Sequence, residues 1–392
     1  MKSLSIFLVG LTLFSSVHAF SLEQRIGNVD TKLKVYGFVQ LEARGGKGSI
    51  DDAQDSNAKF SAQRVRLGMN YSADIVRGKL FVDFNQDSTV NAVNGDVGLP
   101  KHIKDAFIAL RFNKAFVPKL GLIKMPHGMS FTMPGWNLDI VERGLDKKLA
   151  LERNMGLMIS GRDMFLGNNA KVSGFEMGHE RAYKGFGYDL MIANQVGRSG
   201  AVSNVKPGDA NAYAARLMFD YTELFHSEIS YGISESAGGI DGHEREDGSI
   251  IVGDTKDYKS LNFGIDSNLE RLNAKFEYFD SKNIKGEKGW DESTLALTST
   301  YYISDTFELA GKHIQASALK SGIASDLGNT YFGFNYYMST FDNKMDRNSK
   351  RKRNAHRISI NYILATGDTN DKWNGLGGYI NDAVVLQAQF KF

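Results

Sequence analysis

From residue 32 to residue 392 the chain alternates apolar and polar side chains in runs of about ten residues or more. In Leu33–Arg44 the odd positions are Leu33, Val35, Gly37, Val39, Leu41 and Ala43. The even positions are Lys34, Tyr36, Phe38, Gln40, Glu42 and Arg44. Val65, Leu67, Met69 and Tyr71 oppose Arg64, Arg66, Gly68 and Asn70 in the same way, and Leu80, Val82 and Phe84 oppose Lys79, Phe81, Asp83, Asn85 and Asp87. A period of two places successive side chains on opposite faces of a strand. Strands of soluble sandwiches run to roughly 5–6 residues, whereas a strand that crosses a bilayer needs about 9–11. Run length therefore favours an all-β, transmembrane antiparallel β-barrel.

The amino-terminal residues agree with export. Lys2 supplies a positive start, Ile6–Phe14 is a short apolar stretch, and Val17-His18-Ala19 has the small-residue pattern of a signal-peptidase site. Residues 1–19 are read as a signal peptide and 20–392 as a single barrel domain. No later window holds 18 consecutive apolar residues, so no spanning helix is expected. Cysteine is absent, and prolines number only 5 against 41 glycines, which suits long paired strands joined by turns. The 16 Tyr and 25 Phe suit strands and interface girdles. The carboxyl end is itself amphipathic: Val384, Leu386, Ala388, Phe390 and Phe392 share one face, and Gln387, Gln389 and Lys391 the other. A terminal aromatic on such a strand resembles the assembly signal of outer-membrane barrels.

Seventeen extended segments can be marked between 32–44 and 381–392, but bacterial single-chain barrels have even strand numbers. Short links at 222–224, 269–270 and 304–305 alternate with long polar links at 45–59, 88–102, 237–256 and 367–380 only when the segment 169–179 is removed. That leaves about 16 strands, with 169–179 as an extended piece within a long connection. The basic connection 341–352 remains long where a short turn is expected.

The stretch 126–152 lacks sustained alternation and contains Pro126, Gly128, Pro134, Gly135 and Gly144. An irregular run of this length is usually functional, and in a barrel its natural place is folded into the lumen as a constriction. Its core, Met129-Ser-Phe-Thr-Met-Pro-Gly-Trp136, is apolar and aromatic, a surface suited to stacking or sliding contacts. Gly121-Leu-Ile-Lys-Met-Pro-His-Gly128 resembles the "GKFKxPFG" stretch of the phosphate-selective porin O and P family. Glu142-Arg143 and Arg153-Asn-Met-Gly156 resemble that family's pattern at the expected spacing.

The resemblance implies a sixteen-stranded trimeric outer-membrane barrel whose third outer loop folds inward. It implies pore-lining, anion-binding roles for Arg64, Arg66, Lys79 and Asp105, and a constriction loop containing Lys124, Pro126, Gly128, Phe131, Trp136, Glu142 and Arg143. Where the family's inward loop carries a lysine and a serine, this chain has Phe131 and Pro134. The implied function is passive diffusion of small polar solutes and ions, with a preference for anions such as phosphate, in the outer membrane of a Gram-negative bacterium. The alternative is a non-conducting structural or adhesive barrel.

Other chemistries have little support. Net charge is +2, which gives no global field for nucleic acid. The basic run Lys350–Arg353 is read as solvated or in contact with anionic headgroups or periplasmic partners. The 8 His lack metal-ligand spacing, and the His226-Ser227 pair has no third group to complete a nucleophilic site. No enzyme activity, metal or cofactor is expected. The expected partners are small solutes or anions, outer-membrane lipid and two further copies of the chain.

Overall fold

The computed structural model describes residues 20–26, 28–46, 58–85, 102–164, 185–194, 211–221, 224–235, 256–320, 322–338, 356–367 and 378–392. The signal-peptide segment, the segment 169–179 and the basic connection 341–352 lie outside them.

Seventeen strands follow in chain order: β1 (Phe20–Ile26), β2 (Val29–Gly46), β3 (Lys59–Ala73), β4 (Val76–Asp83), β5 (Ile103–Leu110), β6 (Val117–Lys124), β7 (Arg153–Met164), β8 (Gly185–Asn194), β9 (Asn211–Tyr221), β10 (Phe225–Ser234), β11 (Tyr258–Leu269), β12 (Leu272–Lys282), β13 (Trp290–Tyr302), β14 (Phe307–Lys320), β15 (Ile323–Tyr337), β16 (His356–Gly367) and β17 (Ala383–Lys391). Each strand from β2 to β17 pairs antiparallel with the next, and β17 returns to pair with β2, from Ala383↔Gly46 to Lys391↔Phe38. The ring therefore closes on sixteen strands and has no free edge.

β1 does not add a seventeenth stave. It pairs with Val29–Val35 of β2 on the edge that β17 leaves, and so continues the line of β17. Phe392 joins the two pieces through a reciprocal pair of backbone hydrogen bonds with Gly37, 2.8 and 2.9 Å long. Gly37 is required there by space: a Cβ would stand 2.5 Å from the Phe392 ring and 2.6 Å from the carbonyl of Arg66.

Sixteen of the segments marked in the sequence coincide with strands, and β7 pairs directly with β8. Two local differences have physical causes. β1 lies outside the segments that the sequence marks, yet all seven of its residues pair with β2, from Phe20↔Val35 to Ile26↔Val29, and Glu23 and Lys32 meet across the pair at 2.5 Å, so short length rather than pattern hid it. β15 begins earlier than the alternation alone marks, at Ile323, because Ile323 pairs with Lys320, and Gly322 beside it has a φ of +80°.

The alternation sorts the two faces as expected. Leu41, Ile108, Leu120, Leu190, Leu217, Phe332 and Leu386 are exposed on the outside. Gln40, Asp105, Asp189, Arg216, Asn329, Asn361 and Gln387 are buried on the inside. An apolar exterior around a polar interior inverts the soluble pattern and matches a barrel whose outer surface meets lipid. No helix among the described residues is long and apolar enough to cross a membrane.

Candidate functional site: the inward loop and its basic wall

β6 ends at Lys124 and β7 begins at Arg153. Between them the chain enters the ring and bonds to wall side chains around much of its circumference. The amides of Gly128, Met129 and Ser130 donate to Ser230 Oγ, Asn262 Oδ1 and the Glu277 carboxylate at 3.1–3.2 Å. These wall acceptors supply the amino-terminal partners of a one-turn helix, α1 (Met129–Thr132), which has no side-chain cap of its own. Further along, Gln40 and Gln389 donate to the carbonyls of Gly135 and Trp136, while Gln387 and Arg357 donate to those of Val141 and Leu138. Lys275 pairs with Asp139, and Lys312 reaches the Arg143 carbonyl and Asp146.

The apolar residues of the loop do not form an open sliding surface. Phe131, Ile140, Val141, Leu145, Leu149 and Leu151 are buried in one cluster with wall residues such as Met191, Ala212, Phe279 and Ile314. They anchor the loop by burial, at roughly 1.5–3 kcal/mol for each large side chain. Met133 and Trp136 are exceptions, and Trp136 carries a cation contact. It stays half-buried, with Lys391 Nζ 3.3 Å from its ring centroid.

His127, in the loop, is fully buried. The amide of Leu151 donates to Nδ1 at 3.4 Å, and the 3.1 Å contact of Nε2 with the Ser260 carbonyl is then a donation, so the ring sits as the neutral tautomer. Burial pushes its pKa down to about 4, against a weaker upward pull from the Ser260 carbonyl.

The basic residues fall into two sets. Arg66, Lys79 and Arg153 are answered by carboxylates: Arg66 by Asp83 at 2.8 Å, Lys79 by Asp105 at 2.8 Å, and Arg153 by the same Asp105 at 2.7 Å. Asp105 is thus the shared counter-ion of two cations. Arg64, Lys124 and Arg143 make no ion pair among the described residues. Arg64 donates to Gln40 at 2.5 Å and to Gln63. Lys124 donates to the carbonyl of Phe131 and lies 4.6 Å from the centroid of its ring. Arg143 donates to the carbonyls of Ser130 and Met133. Burial beside Arg66 and Arg153 pushes the Arg143 guanidinium down to about 10, so it remains charged at neutral pH.

The structure therefore brings Arg64, Arg66, Lys79, Lys124, Arg143, Arg153 and Asp105 to one stretch of wall and loop. Lys124 and Arg143 flank the Phe131 ring, at 4.6 and 5.7 Å from its centroid. Glu142 lies 3.6 Å from Arg44, which it shares with Glu42 of β2, and 3.4 Å from the Tyr331 hydroxyl. Pro126 and Gly128 shape the loop's entry; Gly128 has φ +86° and packs beneath Phe279.

No protein-family model and no curated protein sequence matches the chain. Solved structures do match. OmpF of Salmonella typhi, in complex with daunomycin, aligns over 95% of this chain and 100% of its own at 12% identity and a TM-score of 0.60. An anion-selective porin from Comamonas acidovorans aligns over 92% and 100% at 11% identity and a TM-score of 0.57. An outer-membrane protein of Vibrio cholerae, the loop-deleted OmpT, aligns over 92% and 99% at 11% identity and a TM-score of 0.57. At these identities the likeness establishes a porin-type barrel fold.

Proposed function

We propose that the chain is an outer-membrane porin, exported after cleavage following Ala19, that carries small polar solutes and prefers anions. The fold supports the channel: a closed sixteen-stranded ring, apolar outside and polar inside, with porins among its structural neighbours. The observation that carries the anion preference is the set Arg64, Lys124 and Arg143. These three cations hydrogen-bond to neutral acceptors and form no direct ion pair among the described residues, so they put positive charge on the inward face, tempered by nearby carboxylates such as Asp83, Glu142 and Glu152. Guanidinium groups offer fixed donors to an oxyanion and an ammonium adds a compact charge. Phosphate is one anion of this chemistry. The reading assigns no catalysis and no cofactor.

A homotrimer is the assembly that the family resemblance implies; cross-linking of the protein in detergent or lipid, read as the largest species formed, tests it.

Replacing Arg64 and Lys79 together by Ala tests the anion preference. The double variant removes one unpaired and one paired cation, so its reversal potential in a salt gradient should move toward cations. An unchanged reversal potential would show that the two residues only line the wall.

A further inference from the structure

Arg357 is the first inward side chain of β16, at the end of the barrel opposite the roots of the inward loop, and is 1% exposed. Its Nη1 donates to the Leu138 carbonyl at 2.6 Å. Its Nε and Nη2 have no hydrogen-bond partner among the described residues. These two donors form the parallel edge of the guanidinium, the one that grips both oxygens of a carboxylate or phosphate. A buried charged donor left unmade is costly, so an empty fork at this depth calls for an acceptor.

Among the described residues the surrounding wall does not provide one. Tyr337 and Gln389 stand opposite Arg357 on the two neighbouring strands. The nearby acid, Glu308, makes no ion pair with Arg357. Its Oε2 accepts from Tyr337 and from Asn335, and its Oε1 is itself without a partner. Tyr337 thus stands between an unfilled donor fork and an unfilled carboxylate oxygen. Lys391 adds a second cation at this end of the ring, over Trp136.

We propose that Arg357 forms a second binding station, separate from the Arg64–Lys124–Arg143 set, for a small oxyanion that also carries a hydroxyl or amino donor. Two oxygens engage Nε and Nη2, and the ligand's own donor meets Glu308 Oε1. Hydrogen phosphate and α-hydroxy carboxylates share this chemistry; chloride offers one acceptor atom and no donor, and acetate has no donor. The station's place on a transport route rests on the porin reading, but the binding site itself does not.

Calorimetric titration of the folded protein in detergent tests it, with hydrogen phosphate, lactate, acetate and chloride in separate runs. Phosphate or lactate should bind in preference to acetate and chloride, and whichever of the two binds identifies the source. Arg357→Lys keeps the charge but loses the fork, and should weaken that binding by roughly tenfold. A titration of Arg357→Lys that superimposes on wild type overturns the station. Should that variant fail to fold, Glu308→Gln serves: removing the neighbouring negative charge should change oxyanion affinity severalfold, and an unchanged affinity overturns the proposal. Binding that depends on Arg357 in a protein that forms no channels would refute the porin reading and leave the station standing.

Discussion

Replacing Leu217 by Arg should cost about 2–4 kcal/mol of barrel stability in a bilayer. Leu217 lies mid-strand in β9, is 60% exposed, and has Tyr188 and Ile229 as its outward neighbours across the sheet. If that face meets hydrocarbon, a guanidinium there has neither water nor a partner. Tyr221→Arg, on the same strand and face but at its end, should cost only about 0–1 kcal/mol, because the penalty falls toward the interface. Urea unfolding from lipid vesicles, followed by tryptophan fluorescence, measures both. Equal costs for the two variants would show that the mid-strand face does not sit in the membrane core.

Asp105→Asn should destabilise the barrel by about 3–5 kcal/mol, the usual result of removing one partner from a buried charge network. Asp105 is 1% exposed and holds Lys79 and Arg153 at once. Asparagine preserves the shape but leaves Lys79 without its carboxylate and Arg153 with only Glu152, at 3.8 Å. The same change adds one positive charge to the inward wall, so protein that still folds should prefer anions more strongly than wild type. Unfolding midpoints and reversal potentials read the two effects separately. A variant as stable as wild type would mean that water already solvates these cations.

The barrel was legible in the sequence because its two surfaces face opposite solvents, and the strand period writes that contrast into every run. Leu41 and Gln40, or Leu386 and Gln387, announce outside and inside without any knowledge of their neighbours. The inward segment was legible because its prolines and glycines interrupt the period. What stayed hidden depends on register. Asp105 meets Lys79 and Arg153 only because four strands align, and residues 26 and 48 positions apart carry no local sign of the contact. The split of the cations into paired and unpaired sets, and the open fork of Arg357, are hidden for the same reason. Apolar loop residues read as a contact surface for solutes instead pack against the wall, since a hydrophobic pattern does not say which partner covers it.

The central claim is that this ring conducts and that its inward charge favours anions. The most direct measurement is conductance of the purified protein in a planar bilayer with different salt concentrations on its two sides. The account predicts discrete channels and a reversal potential on the anion side. A reversal potential on the cation side would contradict the role given to Arg64, Lys124 and Arg143, and a folded, inserted protein that forms no channels would contradict the porin reading itself.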